Sequence, residues 1–437
     1  MTTPFKNPSC FLYNPGVAKI EEAPYPTLED DHEVIIRIAY VGVHFWTHGG
    51  IVNKVSPNHP LIMGHEASGT IHSIGPRVTT LQVGDRVAIE PGSPCRRCKN
   101  CRAGRYNLCP AMRFAADPPS SHGTLTKFFR MAEDFCYKLP EFIGLDEAVL
   151  VEPLAVAVHA SRLAGIEIGQ DVVIFGAGTV GLLCAGVARA LGARQVISVD
   201  VNRSRLAFAR EFASSGAYGP GREDDPETTA AQILALHALG PGADAVLEAT
   251  GVASCIEAGI SVLKPGGAYV QVGLGEPKVE FPITRLSEKE INMRGCFRYS
   301  AGDYDLALHL LESRRVSVKE LITGVEPFEN ATVAWEPRTP LSSLRVDEDL
   351  SATGSEPVAN HRWMTALKSR GLEIKRQLAI IELPSMASWK LLPTFQLGSR
   401  LSHFIVRAAL ASGESPRGWT SPSLDSLSTT GLRRSGG

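Results

Sequence analysis

The chain has two regions that differ in their pattern of hydrophobic and polar residues. Residues 33–41 are rich in β-branched side chains with partial apolar–polar alternation, which predicts a strand. Residues 64–89 contain further short strand-like pieces, broken by turn signals at Gly75-Pro76 and Gly84-Asp85. The first part of the chain is therefore predicted to be a β-rich domain of short strands.

From residue 171 the pattern changes to alternating strands and helices, and the alternation ends near Pro282. Such alternation predicts βαβ units and a parallel sheet, so the overall fold class is α/β. Apolar residues at helical spacing predict a helix over 146–165, with Gly165 at its end. The same spacing predicts helical structure over 303–313 and 316–322.

Beyond residue 336 the hydrophobic residues no longer follow a regular helix or strand period. Residues 341–437 contain 16 serines, and their arginines are scattered without helical phase. Two semi-apolar stretches remain, at 373–383 and 401–410. Serine-rich sequence with few apolar contacts cannot easily offset the entropy of ordering, so we predict a poorly ordered extension. A small accessory subdomain is the alternative.

The amino-acid composition excludes some classes of function. The 437 residues include 44 basic and 46 acidic side chains, a formal net charge of -2 that argues against nucleic acid or anionic membrane as the partner. No apolar run reaches the roughly 18 residues needed to span a bilayer. The first 23 residues show no signal-peptide pattern. We expect a soluble, cytoplasmic protein of two or three domains.

A glycine motif follows the predicted strand 171–175. Gly176, Gly178 and Gly181 have the spacing G-x-G-x-x-G, and a helical pattern follows them. The first glycine allows a tight turn, the second lets a pyrophosphate approach the backbone, and the third lets helix and strand pack closely. The helix N-terminus supplies free N–H groups and positive dipole for phosphates. This context predicts a dinucleotide site; a similar fold without a dinucleotide is the alternative.

The next predicted strand, 195–199, ends in Asp200, nineteen residues after Gly181. A carboxylate at this place accepts hydrogen bonds from the adenosine ribose and repels a 2′-phosphate, which favours NAD over NADP. Arg205 has two interpretations: it stacks beside the adenine, or it is a solvated helix residue.

Four of the nine cysteines are clustered in the spacing C-x2-C-x2-C-x7-C, at Cys95, Cys98, Cys101 and Cys109. Four thiolates so placed can enclose one tetrahedral zinc and leave no open position, so the metal is predicted to be structural. Five basic residues and no acidic residue lie among them, which offsets the negative charge of the site. Free cysteines and a nucleic-acid-binding zinc ribbon are the alternatives.

These two motifs, in this order, resemble the zinc-dependent medium-chain alcohol dehydrogenases. Further segments resemble the polyol dehydrogenase branch, which includes sorbitol, L-arabinitol and xylitol dehydrogenases: 64–69 (GHEASG), 105–110 (RYNLCP), 151–154 (VEPL) and 294–299 (RGCFRY). Two others look most like xylitol dehydrogenases, or D-xylulose reductases: 112–116 (MRFAA) and 134–140 (DFCYKLP). The resemblance covers roughly residues 5–335.

The resemblance implies a GroES-like catalytic domain and a Rossmann domain. The expected division is residues 1–155 for the catalytic domain, with the zinc loop at 95–109, and 156–290 for the NAD-binding domain. Residues 291–336 return to the catalytic domain, and 337–437 form the divergent tail. The implied activity is NAD-dependent, zinc-dependent oxidation of a polyol to a ketose, with xylitol to D-xylulose the preferred pair. The family also implies a homotetramer.

The resemblance also implies site residues. His65, Glu66 and Glu152 match the protein ligands of a catalytic zinc, and both His65 and Glu66 can reach one ion only if the chain turns at Gly64. The positions matching the substrate site are Phe45, Arg298 and Tyr299. The positions matching the cofactor site are Gly176, Gly178, Val180, Gly181, Asp200, Arg205, Val272, Gly273, Leu274, Cys296, Phe297 and Arg298.

The chain departs from the family in two places. Val43 runs directly into His44-Phe45-Trp46, where the family has about five more residues that include a cysteine ligand and a proton-relaying hydroxyl. His44 and His48 are candidate substitutes for that ligand. After the position of Glu336 the family continues with a basic turn and a closing strand, and the sequence from Pro337 onward does not match them.

Because the cysteine ligand is missing, binding of a catalytic zinc is doubtful. Two interpretations of the function follow. One is a polyol dehydrogenase, impaired to the extent that the metal is lost. The other is an NAD-binding, zinc-stabilised pseudoenzyme or inactive isoform. A zinc-free quinone reductase is disfavoured by His65, Glu66 and the four cysteines.

Overall fold

The structure is a computed structural model that describes residues 5–14, 17–43, 55–118, 121–332 and 378–382. The strands in chain order are β1 (Asn7–Asn14), β2 (Val17–Ala23), β3 (Glu33–Val43), β4 (Leu61–Ile62), β5 (Ala67–Ile74), β6 (Arg86–Ile89), β7 (Gly92–Ser93), β8 (Arg113–Phe114), β9 (Phe128–Ala132), β10 (Cys136–Lys138), β11 (Asp171–Phe175), β12 (Gln195–Val199), β13 (Gly216–Tyr218), β14 (Ala243–Glu248), β15 (Leu263–Gln271), β16 (Asn292–Gly295), β17 (Ile322–Pro327) and β18 (Leu378–Glu382).

The helices in chain order are α1 (Lys99–Arg102), α2 (Leu145–Ala148), α3 (Val151–Ala164), α4 (Thr179–Ala190), α5 (Arg203–Phe212), α6 (Pro226–Leu236), α7 (Ala253–Val262), α8 (Ile283–Glu288) and α9 (Asp303–Glu312). Short 3-10 turns lie at Tyr106–Leu108, Glu133–Phe135, Lys319–Leu321 and Phe328–Asn330. Within the described ranges, no helix has both the length and the apolar character needed to cross a membrane.

The second half of the chain forms a six-stranded parallel sheet in the order β13-β12-β11-β14-β15-β16. Its central strand β11 is buried along its whole length, which explains its continuous apolar run. Strands 171–175 and 195–199 have the predicted bounds. Helices α3 and α4 pack with α9 in one apolar cluster beside this sheet. The predicted alternation of strand and helix is therefore present.

Strands from the first half, joined by β17 and β18 from later in the chain, form a mostly antiparallel sheet in the order β10-β6-β5-β3-β18-β17. Strand β9 is also paired to β3. The inward-facing side chains of β3, including Val34, Ile36 and Ile38, lie in a second apolar cluster. This alternation of buried and partly exposed positions is what the partial periodicity of residues 33–41 predicted.

Two local features differ from the expectations. Residues 316–322 were expected to be helical, but they contain only the 3-10 turn Lys319–Leu321 before β17 begins at Ile322. The helix expected over 146–165 is divided into α2 and α3, and Gly165 ends it with a φ of 67°.

A strand from the divergent tail completes the first sheet. β18 lies between β3, to which it is antiparallel, and β17, to which it is parallel. Ala379 pairs with Val43, and Glu382 pairs with Tyr40. The sequence had suggested only a semi-apolar stretch here, inside a segment expected to be poorly ordered. These five residues instead occupy a position between two other strands.

Candidate functional site

The cofactor-site residues lie at the carboxyl edge of the parallel sheet. The chain passes from β11 to β12 on one side and later places β14 on the other side, so a crevice opens at the end of β11. Residues 176–181 follow β11, Asp200 follows β12, residues 272–274 follow β15 and residues 296–298 follow β16. The structure therefore brings the predicted cofactor residues to one edge of one sheet.

The glycine motif forms the turn between β11 and α4. An added Cβ at Gly181 would stand 1.8 Å from the carbonyl oxygen of Gly176, so only glycine fits at this crossing. At Gly178, the N-cap of α4, an added Cβ would meet nothing within 4 Å, and no side chain caps the helix there. The first turn, which includes Val180, therefore presents open space and free N–H groups, as a bound pyrophosphate requires.

Asp200 faces this turn. Its Oδ2 accepts a hydrogen bond of 2.9 Å from the backbone N–H of Ala177, and its Oδ1 accepts one of 2.8 Å from Asn202. The guanidinium of Arg205 lies 3.7 Å from Oδ2, with 18% of its side chain exposed. Arg205 is therefore directed toward Asp200 and is not a fully solvated helix residue.

A second glycine-lined turn lies beside the first. A Cβ at Gly273 would stand 2.3 Å from the backbone nitrogen of Gly251. The carboxylate of Glu248 accepts hydrogen bonds from the backbone N–H groups of Thr250 and Gly251 and so holds this turn. Leu274 is 62% exposed above it. This apolar rim next to the crevice suits the flat face of a nicotinamide ring.

The four cysteines come together in the segment 95–109, which we call the zinc lobe. Their sulfurs all lie within 4.8 Å of one another, and the Cys98 and Cys95 sulfurs are 3.4 and 3.9 Å from that of Cys101. Zinc–sulfur bonds of about 2.3 Å in a tetrahedron would place sulfurs roughly 3.8 Å apart, so the residues fit a zinc ion. Backbone N–H groups of Arg97 and Cys98 lower the pKa of the Cys95 thiol to about 6, which favours the thiolate.

His65, Glu66 and Glu152 form a second potential metal cluster, with ligand atoms within 4.8 Å of one another. His65 and Glu66 precede β5, and Glu152 lies in the first turn of α3. Gly64 has a φ of 90°, which supplies the expected turn that lets both neighbours face one point. A Cβ at Gly42 of β3 would stand 1.9 Å from Glu66 Oε2, so this glycine makes the space that the Glu66 carboxylate occupies.

The electrostatics of this cluster favour a cation. Burial and the neighbouring Glu152 carboxylate raise the pKa of Glu66 well above its usual value. Burial also raises the pKa of Glu152 to about 7, although the Tyr299 hydroxyl and Arg298 partly oppose the shift. Two buried carboxyls beside an imidazole are costly as anions unless a positive charge compensates them. One nitrogen and two oxygen donors fit a divalent ion such as zinc.

Arg298 and Tyr299 connect the cofactor edge to this cluster. Both follow β16, and the buried Tyr299 lies beside Glu152. The Arg298 guanidinium stacks on the ring of Phe114, 3.5 Å from its centroid, and burial lowers its pKa. The predicted substrate residues therefore lie between the metal cluster and the nicotinamide side of the crevice. Phe45, and with it His44, Trp46 and His48, lies outside the described residues.

A buried carboxyl near the site was not predicted from the sequence. Glu90 is fully buried directly after β6 and accepts hydrogen bonds from the hydroxyls of Tyr106 (2.6 Å) and Tyr137 (2.9 Å). Burial raises its pKa to about 7. An acidic residue between a buried strand and Pro91 was the available signal, because such a position has little access to water.

A second missed carboxylate, Asp303, is also fully buried. It accepts hydrogen bonds from His159 Nδ1 (2.8 Å), Arg162 Nη1 (2.6 Å) and the backbone N–H of Ser300 (2.6 Å). Since His159 and Arg162 lie on α3, Asp303 ties the helix that carries Glu152 to the segment that carries Tyr299.

Comparison with known proteins agrees with this arrangement. The family model for the alcohol dehydrogenase GroES-like domain matches residues 30–141, and the model for zinc-binding dehydrogenases matches residues 179–313. These matches confirm the predicted fold class, a GroES-like domain joined to a Rossmann-type parallel sheet.

Two relatives are similar over most of the chain. D-xylulose reductase A of Aspergillus oryzae is 50% identical over 322 residues, covering 72% of this chain and 89% of the relative. D-xylulose reductase A of Aspergillus niger is 48% identical over 323 residues, covering 73% and 89%.

A solved structure is also similar. Galactitol-1-phosphate dehydrogenase from Escherichia coli has a TM-score of 0.68 at 26% identity, covering 75% of this chain and 95% of that one. The two domain models, the two metal-compatible clusters and the identity to these relatives together lead to one conclusion: the chain belongs to the zinc-binding medium-chain alcohol dehydrogenase family, in its polyol dehydrogenase branch.

Proposed function

We propose that the protein oxidises a polyol to a ketose with NAD as the hydride acceptor, and that xylitol and D-xylulose are the preferred pair. The observation that carries the proposal is the position of Tyr299. It follows β16 at the cofactor edge of the parallel sheet and lies beside Glu152 in the metal cluster. A hydroxyl bound at that cluster would therefore have its carbon next to the nicotinamide side of the crevice.

The substrate class is supported by the relatives named as D-xylulose reductases. It is also supported by Arg298, whose guanidinium can donate several hydrogen bonds to neighbouring hydroxyls while Phe114 supports its plane. A half-buried guanidinium recognises a chain of hydroxyls better than it would recognise a simple aliphatic alcohol.

The reaction removes one hydride and one proton: xylitol and NAD⁺ give D-xylulose, NADH and H⁺. His65, Glu66 and Glu152 would hold a zinc ion, which would supply Lewis acidity to lower the pKa of the substrate hydroxyl. Asp200 and the turn 176–181 fix the adenosine and pyrophosphate ends of the nucleotide. Arg298 orients the polyol, and Leu274 and Phe297 exclude water from the nicotinamide face.

A second candidate function is an NAD-binding protein with little or no turnover. It is favoured by the composition of the metal cluster: among the described residues, the group around His65 contains an imidazole and two carboxylates but no thiolate. A soft, negatively charged ligand strengthens zinc binding, so the remaining three donors are expected to hold the ion more weakly. On this view the zinc lobe keeps its ion and the second cluster loses it.

The two candidates are separated by metal analysis together with a rate measurement. Xylitol-dependent formation of NADH supports the dehydrogenase, and the zinc content shows whether the second cluster also holds an ion. One zinc per chain, no NADH formed from xylitol, sorbitol or L-arabinitol, and retained binding of NADH support the inactive protein. Reduction of quinones by NADPH would contradict both.

The same proposal includes the domain organisation and assembly. We propose a catalytic domain over residues 1–155 and 291–336, to which β18 adds a strand and from which β16 joins the parallel sheet of the neighbouring domain. We also propose an NAD-binding domain over 156–290 and a homotetramer in solution. Light scattering and limited proteolysis of the full chain test the assembly and the boundaries.

A further inference from the structure

The zinc lobe touches the segment that carries the substrate residues. We call residues 296–301 the substrate segment. Asn107 Nδ2 donates a hydrogen bond of 2.8 Å to the carbonyl oxygen of Phe297, and the N–H of Ala301 donates one of 3.0 Å to the carbonyl oxygen of Gly104. Both lobe residues lie between Cys101 and Cys109. The two contacts hold the substrate segment on either side of Arg298 and Tyr299.

The lobe is itself anchored on another side. Tyr106, next to Asn107, donates a hydrogen bond of 2.6 Å to Glu90 Oε1, and Glu90 lies at the end of β6 in the antiparallel sheet. The fully buried Glu90 has little freedom to move. The lobe therefore acts as a fixed link between the antiparallel sheet and the substrate segment.

The substrate segment needs such support. Arg298 has a φ of 56°, a left-handed conformation that a residue with a side chain seldom adopts without help from its surroundings. In this conformation its guanidinium lies over the ring of Phe114. Hydrogen bonds to Phe297 and Ala301 fix the backbone immediately before and shortly after the strained residue.

We propose that Asn107 is a positioning residue, and that the zinc lobe sets the conformation of the substrate segment and thereby places Arg298 for the polyol. The kinetic part of this inference rests on the proposed polyol dehydrogenase function. The conformational part does not.

The test compares Asn107→Ala with Asn100→Ala. Asn100 is a matched control because its Nδ2 donates to the carbonyl oxygen of Leu108 within the lobe and has no bond to the substrate segment. Hydrogen exchange of a peptide covering 296–301, zinc content, melting temperature and the KM and kcat for xylitol are measured in the full-length, zinc-loaded protein.

We expect Asn107→Ala to retain its zinc and to speed exchange in the substrate segment by roughly threefold to tenfold, the effect of one lost hydrogen bond. The KM for xylitol should rise by about the same factor, while kcat changes less. Asn100→Ala should leave the exchange of 296–301 and the KM unchanged. Asn107→Leu, which keeps roughly the size, removes the donor and adds no charge, repeats the test if the alanine variant does not fold.

Unchanged exchange in 296–301 in a folded Asn107 variant would overturn the proposal, as would an equal effect of Asn100→Ala. Faster exchange with an unchanged KM in the active enzyme would also overturn the positioning role. If the wild-type chain forms no NADH from polyols, the proposed function fails, and the exchange measurement alone decides whether the lobe holds the substrate segment.

Discussion

The carboxylate of Asp200 accepts a hydrogen bond of 2.9 Å from the backbone N–H of Ala177, so the acid at the end of β12 is joined to the glycine turn at the end of β11. This bond holds the two parts of the nucleotide site in one arrangement. A carboxylate has about four acceptor positions, so Asp200 can still accept bonds from ribose hydroxyls.

We expect Asp200→Ser to weaken NAD binding and to relax the discrimination against NADP. Loss of hydrogen bonds to a charged group costs about 1.5–3 kcal/mol, which corresponds to a loss in affinity of at least about tenfold. Titration of intrinsic fluorescence with NADH and NADPH measures both effects. Asp225→Ser is the control, because Asp225 caps α6 through the N–H of Thr228 and serine is also a good cap. Tighter binding of NADPH than NADH by the wild-type chain would refute the role of Asp200.

Insertion of Cys-Gly-Ser-Asp-Val between Val43 and His44 should raise the zinc content to two ions per chain and speed the turnover of xylitol. β3 ends at Val43, and Gly42 already accommodates the Glu66 carboxylate, so the added thiolate would enter next to the existing cluster. Lewis-acid stabilisation is worth several kcal/mol, so the gain in rate should be roughly a thousandfold or more.

Metal analysis and NADH formation measure this outcome, and an insertion of five Gly/Ser residues of the same length is the control. Two zinc ions and rapid turnover in the chain without the insertion would contradict the prediction. That result would mean that His44, His48 or another group has replaced the cysteine.

Truncation before β18 should destabilise the protein more than truncation after it. A chain ending at residue 370 loses the strand that pairs with both β3 and β17, whereas a chain ending at residue 390 keeps it. Loss of these backbone bonds should cost about 2–4 kcal/mol and lower the melting temperature by about 5–10 °C. NADH binding should survive in both, because β11 and α4 lie in the other sheet. Equal melting temperatures would show that β18 does not support the sheet.

Stability at acidic pH should depend on Glu133. Burial alone would raise the pKa of its carboxyl, but hydrogen bonds from Thr80 and His32 outweigh that effect and lower the pKa to about 2. Because the folded-state pKa lies below the unfolded value of about 4.3, the stabilisation is present above that pH and is lost as the pH falls toward 2.

Glu133→Gln should therefore lower the melting temperature at pH 7, and the difference from wild type should shrink between about pH 4.5 and pH 2. Glu329→Gln, which changes an exposed glutamate, is the control for acid effects on the rest of the molecule. A difference that stays constant across this pH range would show that the ionised carboxylate is not the stabilising form.

The local features of this protein were predictable from its sequence. The strand 171–175, the glycine turn after it and Asp200 are encoded within thirty residues, because βαβ geometry follows from short-range periodicity and glycine placement. The zinc lobe was predictable for the same reason, since four cysteines within fifteen residues can reach one ion through local turns alone.

The tertiary structure decided what depends on distant residues. Glu152 meets His65 and Glu66 because α2, which directly precedes α3, packs against β5 and β6 of the antiparallel sheet. Asn107 reaches Phe297 across 190 residues of sequence. Strand β18 shows this dependence on distant residues most clearly. Five residues in a serine-rich segment carry too little periodicity to predict a strand, and they form one because β3 and β17 offer backbone hydrogen-bonding groups on both sides. A strand's partners are a property of the folded sheet and cannot be read from the strand's own residues.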